Sequence, residues 1–176
     1  MAFTGAGFPQ TEPAIIVKLK AGTANPFGTL STGSNMVHIE TPAGTIESVP
    51  GFEPAFKANF TFGADWLTFD PDRAHGRVNV RAVARTVDDD SPLHLSYNAV
   101  IRMTDDVWKI FGGSPDMVTV PFGLAVGHAS FLAGDPKLKV LENLAFATSG
   151  RIIVGEDKSL TVETRISKVV APEVMD

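Results

Sequence analysis

Long alternation of apolar and polar residues is the feature that most limits how this chain folds. Between residues 54 and 62 every second side chain is apolar, namely Phe56, Ala58, Phe60 and Phe62. The same period of two runs through much of residues 77–103, 118–132 and 144–170. A repeat of two places the apolar side chains on one face of a β-strand. The sequence therefore predicts about eight strands and little helix.

The turns between these strands are short, which favours antiparallel pairing of strands that follow one another along the chain. Residues 88–92 read Asp-Asp-Asp-Ser-Pro and residues 155–158 read Gly-Glu-Asp-Lys, and such residues are typical of turns. Eight strands paired in this way close into a barrel wide enough for one small ligand. We expect an all-β closed antiparallel barrel that spans residues 1–176 as a single domain, with residues 1–13 as a loose N-terminal arm.

Three segments depart from the alternation. Thr104 is a suitable N-cap for a short helix that begins with two acidic residues and ends at Gly112. Asp135-Pro136 predicts a second short helix through Asn143. Residues 21–35 are rich in Gly and Pro, which predicts a long loop.

The hairpin over residues 77–103 has a register that its pattern favours. Placing Val87 opposite Pro92 puts the apolar residues of both strands on one face, and a slip by one residue would mix the faces. The other face then carries Arg81, Arg85, His94 and Asn98, with Arg85 opposite His94 and Arg81 opposite Asn98. We expect these four residues to bind substrate if that face lines the barrel. If it meets water, they are ordinary outer residues of an antiparallel sheet.

Composition excludes several classes of function. The net charge of -5, without a basic block, argues against nucleic acid or an anionic membrane as partner. The chain has no cysteine and no His-Glu-x-x-His motif, so we expect no metal, and we expect no cofactor. Residues 1–5 show no basic segment followed by an apolar one, and no apolar run approaches roughly 20 residues, so we expect no signal peptide and a cytoplasmic protein.

Several short segments resemble one family in the same order along the chain. They are Gly63-Ala64-Asp65-Trp66, Val78-Asn79-Val80-Arg81 with Arg85-Thr86-Val87-Asp88, Phe131 with Gly134-Asp135-Pro136-Lys137, Leu141 to Asn143, and Ser149-Gly150-Arg151. Through them, residues 15–170 resemble the family called domain of unknown function 3237, whose signature is GADW. The chain departs from the family pattern at Ala82, where the family has an aromatic residue, and at the turn after Asp88.

This resemblance implies a small closed barrel with a central cavity, of the calycin or allene-oxide-cyclase kind. Barrels of this kind recur as cofactor-free cyclases and isomerases in natural-product pathways. The resemblance and the alternation thus lead to the same fold, although a fold does not by itself define a reaction.

Asp65, Tyr97 and His128 are the candidate catalytic residues. A carboxylate in an apolar barrel would be desolvated and would act as an acid or a base. Uninterrupted alternation from Phe60 places Trp66 on the Phe face, whereas a bulge at Gly63 places Asp65 there; Trp66 is expected to stack on a planar substrate. Tyr97 is the only phenol and lies on the apolar face. A lone His such as His128, in line with apolar residues, is more often a core residue than a catalyst.

The remaining candidates for substrate binding are aromatic or belong to the family-like segments: Phe60, Phe62, Phe131 and Asn143. We expect a cofactor-independent cyclase, isomerase or lyase of small-molecule metabolism that binds a largely apolar organic substrate. One alternative is a carrier that uses the same cavity without catalysis. Another is a structural subunit whose cavity is filled by Phe side chains. A homodimer through one barrel wall is compatible with the apolar outer positions.

Overall fold

The computed structural model describes residues 7–172, which form ten strands and little helix. The strands are β1 (Gln10–Lys20), β2 (Ala24–Thr29), β3 (Asn35–Glu40), β4 (Ala43–Ser48), β5 (Lys57–Phe69), β6 (His75–Thr86), β7 (Pro92–Arg102), β8 (Val120–Ala133), β9 (Phe146–Val154) and β10 (Leu160–Val170). Helix α1 (Asp105–Phe111) and a 3₁₀ helix (Lys139–Asn143) complete the elements. No helix in this part of the chain is long and apolar enough to cross a membrane.

Eight of the strands close into an antiparallel barrel, as the alternation predicted. Strands β4 to β10 pair in the order in which they follow along the chain, and β1 fills the remaining place between β10 and β4. The two extra strands, β2 and β3, form a hairpin that pairs with residues 64–69 of β5. The all-β closed barrel is therefore confirmed.

Some predicted boundaries were wrong because pairing partners distant in sequence extend the strands. Residues 10–13, expected in the loose arm, belong to β1 and pair with the end of β10; residues 1–6 lie outside the described part. The expected loop over residues 21–35 contains β2, because its backbone finds a partner in β3. The first helix was predicted correctly, with Thr104 as N-cap and Gly112 as C-cap. The second is only a short 3₁₀ helix.

Buried side chains form two clusters that divide the barrel along its axis. The packed half contains the larger cluster, with Phe60, Ala82, Leu95, Phe131 and Phe146. The helix half contains Leu67, Phe69, Ile101, Val120 and Ile152, together with Val107 and Ile110 from α1. Helix α1 thus covers one end of the barrel with its apolar face, while the other end is filled by strand side chains together with Phe52, Leu138 and Leu141 from outside the strands.

Two bulges change which side chains point inward. In β5 the pairing with β6 passes from Phe60 directly to Phe62, so Thr61 is an extra residue. Phe60 is buried and Phe62, expected on the same face, is 70% exposed. In β8 the pairing with β9 passes from Val120 to Ala125, so residues 121–124 lie opposite the single residue Arg151, an excess of three residues. His128 consequently lies on the face opposite Val120, although unbroken alternation predicted that they share one.

The β6–β7 register differs by two residues from the predicted one. Arg85 pairs with Pro92 instead of His94, and Arg81 pairs with Ser96 instead of Asn98. The turn is fixed by Thr86, whose backbone N–H donates to the Ser91 carbonyl at 3.0 Å and whose hydroxyl accepts from the Ser91 N–H at 2.7 Å. A shift of two residues preserves the faces, so the apolar pattern cannot distinguish the two registers.

Candidate functional site

A cavity of about 180 Å³ lies inside the barrel. Leu19, Val80 and Tyr97 belong to the packed half and form its floor, while Ile110 and Phe111 of α1 line the opposite end. Most of the remaining lining is apolar, including Leu67, Val78, Ala99, Ile101, Val120, Leu124, Ile152 and Val162. A cavity of about 150 Å³ is known to hold benzene, so this one has room for a compact ring compound.

Asp65 is the acidic residue that lines this cavity. The bulge in β5 turns Asp65 inward and Trp66 outward, which is the second of the two orientations that the sequence allowed. One carboxylate oxygen, Oδ1, accepts a hydrogen bond from the Asn79 backbone N–H at 2.9 Å. Burial raises the pKa of Asp65 to about 6, and the Asn79 hydrogen bond only partly offsets this effect.

Tyr97 lies close to Asp65, at the floor of the cavity. Asp65 pairs with Val80 across β5 and β6, and Val80 pairs with Tyr97 across β6 and β7, so all three point inward from neighbouring strands. Burial raises the pKa of Tyr97, the negative charge of Asp65 raises it further, and a hydrogen bond with the Thr164 side chain lowers it. Tyr97 therefore remains a neutral phenol and a hydrogen-bond donor at any physiological pH.

Four further polar residues line the cavity: Thr41, Thr148, Arg151 and Thr164. Thr148 and Thr164 come from β9 and β10, across the barrel from Asp65. Thr41 is 5% exposed, and its hydroxyl has no hydrogen-bond partner within residues 7–172. Sequence reasoning missed all four. The alternation of the last hairpin would have placed Thr148 and Thr164 inward with Ile152 and Val162. Arg151 belongs to the family-like segment Ser149-Gly150-Arg151, but that segment does not show that Arg151 lines the cavity.

Three predicted site residues lie together on the outside of the barrel. Trp66, Asn98 and His128 line a shallow groove on the outer surface of β5 to β8. Trp66 is 40% exposed and packs against His38, with ring centroids 4.4 Å apart and the ring planes tilted by 53°. Of the three predicted catalytic residues, the structure brings Asp65 and Tyr97 together in the cavity and places His128 on the opposite side of the wall.

The predicted polar face also lies outside. Arg81 and Arg85 are exposed; Arg81 donates to the Val80 carbonyl at 2.8 Å and Arg85 to the Asp90 carbonyl at 3.0 Å. His94 is half-buried on this face, and burial, helped by the charge of Arg81, lowers its pKa. Of the two orientations that the hairpin pattern allowed, the structure therefore shows the one in which this face meets water.

The remaining four predicted residues do not line the cavity. Phe60 and Phe131 are buried in the packed half, where Phe131 packs edge-on against Phe146 at 5.1 Å. Phe62 is exposed because of the β5 bulge, and Asn143 is exposed at the end of the 3₁₀ helix. Phe60, Phe131 and Phe146 thus help to fill the packed half of the barrel, while the cavity lies in the helix half.

Within residues 7–172, one group of side chains has the spacing of metal ligands. Ligand atoms of Asp70, Asp72 and His75, at the turn between β5 and β6, lie within 4.8 Å of one another. Asp70 also receives hydrogen bonds from Arg77 at 3.2 and 2.7 Å, which lower its pKa. Because Arg77 already neutralises the Asp70 carboxylate, we interpret Asp70, Asp72 and His75 as charged residues of a turn and not as a metal site.

The fold and its interior define a small closed β-barrel with an apolar cavity and a buried carboxyl group. Residues 9–169 match the family model described as protein of unknown function (DUF3237). The chain belongs to this family, as its GADW segment and the segments that follow it predicted. No curated protein matches the chain.

Solved structures share this fold at low sequence identity. A conserved protein of unknown function from Rhodopseudomonas palustris superposes with a TM-score of 0.71 at 17% identity, covering 93% of this chain and 99% of its own. A β-barrel-like protein from Acinetobacter baumannii gives 0.68 at 17% identity, covering 95% and 99%. A protein described as an enzyme from Penicillium herquei gives 0.57 at 14% identity, covering 94% and 99%.

Proposed function

We propose that this protein is a cofactor-independent enzyme that moves a proton on a small, largely apolar substrate held in the cavity. The observation that carries the proposal is the position of Asp65, a carboxyl group in an apolar cavity beside a neutral phenol. An acid–base catalyst works best when its pKa lies near the working pH, and the pKa of Asp65 is about 6. That a structural neighbour is described as an enzyme is consistent with this proposal.

Isomerisation of a ketone is the reaction that these groups support best. The Asp65 carboxylate takes a proton from the carbon next to the carbonyl; the electron pair of that C–H bond forms a C=C bond, and the π pair of the C=O bond moves to the carbonyl oxygen. Tyr97 donates a hydrogen bond to the resulting enolate, which lowers the energy of that charge in an apolar site. Protonated Asp65 then returns the proton to the same carbon or to a conjugated one, so the step needs no oxidant or reductant.

The cavity determines what kind of molecule reaches these groups. Its apolar lining favours burial of a hydrocarbon ring, and its volume limits the ring system to a compact one. A carbonyl oxygen would meet Tyr97 at the floor, where Thr148 and Thr164 also lie. Cyclase and lyase steps that begin with the same proton transfer would use the same two groups. We further propose that the protein acts in the cytoplasm.

Exchange of hydrogen for deuterium in 2-tetralone tests the proposal without knowledge of the natural substrate. This bicyclic ketone has acidic hydrogens next to its carbonyl, and NMR in deuterated water reports both binding and exchange. We expect the protein to accelerate exchange and Asp65→Asn to lose about a hundredfold or more of that acceleration while still binding. Tyr97→Phe should lose about tenfold or more. The exposed Asp88→Asn variant is the control.

A carrier would give a different result from an enzyme. It would bind 2-tetralone without accelerating exchange, and Asp65→Asn would change nothing that NMR measures. Absence of binding in the cavity would also overturn the proposal, because the interior would then hold no ligand of this class.

A further inference from the structure

The barrel wall is interrupted where β8 bulges away from β9. Residues 121–124 separate the Val120–Ile152 pair from the Ala125–Gly150 pair, so Arg151 of β9 has no paired residue on β8. Leu124 and Ala125 line the cavity on one side of this interruption and Arg151 lines it on the other. The Arg151 side chain is also 34% exposed to solvent. The interruption is therefore a place where the cavity lining and the outer surface meet.

Positive charge is concentrated around this point. Glu163 is 1% exposed and is held by two arginines: Arg151 donates through Nε and Nη2 to Oε2 at 2.9 and 2.6 Å, and Arg165 Nη2 lies 2.5 Å from Oε1. Lys18 is exposed on β1, directly opposite Glu163 in the strand pairing. Three cationic side chains thus surround one buried carboxylate, on a protein whose net charge is -5.

Phe122, at the tip of the β8 bulge, covers both guanidinium groups. Its ring centroid lies 4.9 Å from Cζ of Arg151 and 6.0 Å from Cζ of Arg165. Stacking and the two bonds to Glu163 hold the Arg151 plane in place. Nη1 of Arg151 makes no hydrogen bond to residues 7–172, so it is available to a ligand. Of these cationic residues, only Arg151 lines the cavity.

We propose that the substrate is an organic anion whose carboxylate binds Arg151 at the interrupted wall while its apolar ring occupies the cavity. The excess of positive charge attracts such a molecule to this point, and the pre-oriented guanidinium gives it a charged donor at the cavity edge. The inference rests on that part of the proposed function which makes the barrel interior the binding site. It does not depend on proton transfer by Asp65.

Benzoate and benzyl alcohol form a matched pair of probes, because they share one ring and differ in charge. In NMR titrations at low salt we expect the protein to bind benzoate about tenfold or more tightly than benzyl alcohol. Arg151→Gln should remove that preference by weakening benzoate alone. Arg165→Gln is the control, because Arg165 contacts the same Glu163 and the same ring without lining the cavity, and it should retain the preference.

Three results would overturn the inference: equal binding of the two probes, equal loss in both arginine variants, or an Arg151→Gln variant that weakens both probes alike. If Arg151→Gln does not fold, Arg151→Lys keeps the charge and should keep most of the preference for benzoate. Asp65→Asn should retain the preference for benzoate, because Arg151 is still present. If the wild-type protein does not accelerate tetralone exchange but still prefers benzoate to benzyl alcohol, the proton transfer alone is refuted.

Discussion

At the scale of the residue, Asp65 is a polar group that the surrounding structure only partly satisfies. A single backbone N–H faces its carboxylate, and no cationic side chain forms an ion pair with it among residues 7–172. Glu163 is even less exposed, yet its pKa behaves in the opposite way. Burial alone would raise the pKa of Glu163, but the hydrogen bonds from Arg151 and the charge of Arg165 outweigh that effect and lower it. The cationic side chains around a buried carboxyl group therefore affect its pKa more than its degree of burial does in this barrel.

Stability should depend on pH through Asp65. Because its pKa is about 6 in the folded protein and 3.8 ordinarily, the folded state keeps a proton that the unfolded chain releases. The contribution of Asp65 to stability is greatest below about pH 4, falls as the pH rises through 6, and then stays low, at a cost of up to about 3 kcal/mol. In urea unfolding, Asp65→Asn should thus be more stable than the wild type near pH 8 and should lose this pH dependence.

The exposed Asp88→Asn variant should keep the pH dependence of the wild type. If Asp65→Asn lowered the free energy of unfolding by the same amount at about pH 4 and pH 8, the protonation of Asp65 would not be coupled to folding.

At the scale of the element, the β5 bulge decides which residues form the site. Thr61 is the extra residue, and beyond it Gly63, Asp65, Leu67 and Phe69 point inward. Gly63 makes the inward turn sterically feasible, because a Cβ atom at this position would lie 2.7 Å from Cβ of Ala82 and closer still to Oγ1 of Thr41. The first residue of the GADW segment thus leaves space for a cavity residue, and the third supplies the carboxyl group.

Replacing Gly63 by Ala should therefore be costly. The added methyl group must displace Thr41 or separate β5 from β6, and overpacking of this kind costs about 1–3 kcal/mol. Urea unfolding of Gly63→Ala checks this, with Gly134→Ala as control, because a Cβ atom at Gly134 would meet nothing within 4 Å. Equal stability of the two variants would show that the strands separate freely at this point.

At the scale of the whole molecule, the barrel is filled in one half and hollow in the other. Phe60, Phe131 and Phe146 pack the first half, so the expectation of a Phe-filled interior holds only there. In the helix half, smaller side chains such as Ala99 and Ala125 line the cavity beneath α1. The eight-stranded geometry alone would allow either a filled or an open interior, and the size of the inward side chains decides between them.

The same substitution should have opposite outcomes in the two halves. Ala99→Leu adds apolar volume to the cavity, so the free energy of unfolding should stay within about 0.5 kcal/mol of the wild type or rise, while tetralone binding is lost. Ala82→Leu enters the packed half and should cost about 1–3 kcal/mol. Thermal unfolding and NMR titration of both variants measure this, and a comparable loss of stability in the two would mean that the cavity is not open space.

Much of the fold was predictable because it depends on local alternation. The final hairpin, α1 with both of its caps, and the closed barrel were all predicted from residue pattern and family resemblance. Strands β2 and β4 were not, because their alternation is weak and their backbone pairs with β3, β1 and β5. The apolar pattern correctly predicted which residues of β6 and β7 share a face. It could not predict their register, since a shift of two residues leaves every face unchanged.

The site was less predictable than the fold because bulges control it. One extra residue in β5 decides between Asp65 and Trp66, and an excess of three residues in β8 places His128 outside and leaves Arg151 at the cavity edge. A sequence shows that a Gly is present but not at which residue the pairing slips. From the sequence, either Asp65 or Trp66 could point into the barrel, and the pairing of β5 with β6 determines that it is Asp65.

The pairing of β1 with β10 means that the cavity can exist only late in folding. Gln10 lies opposite Val170, so β1 pairs with the last barrel strand to be synthesised. Until residues 160–170 are available, β1 and β9 each present an open edge, and open edges invite pairing with other chains. Closure through contacts so distant in sequence is also slow. A nascent chain of this protein therefore has most need of a chaperone in the interval before its last strand docks.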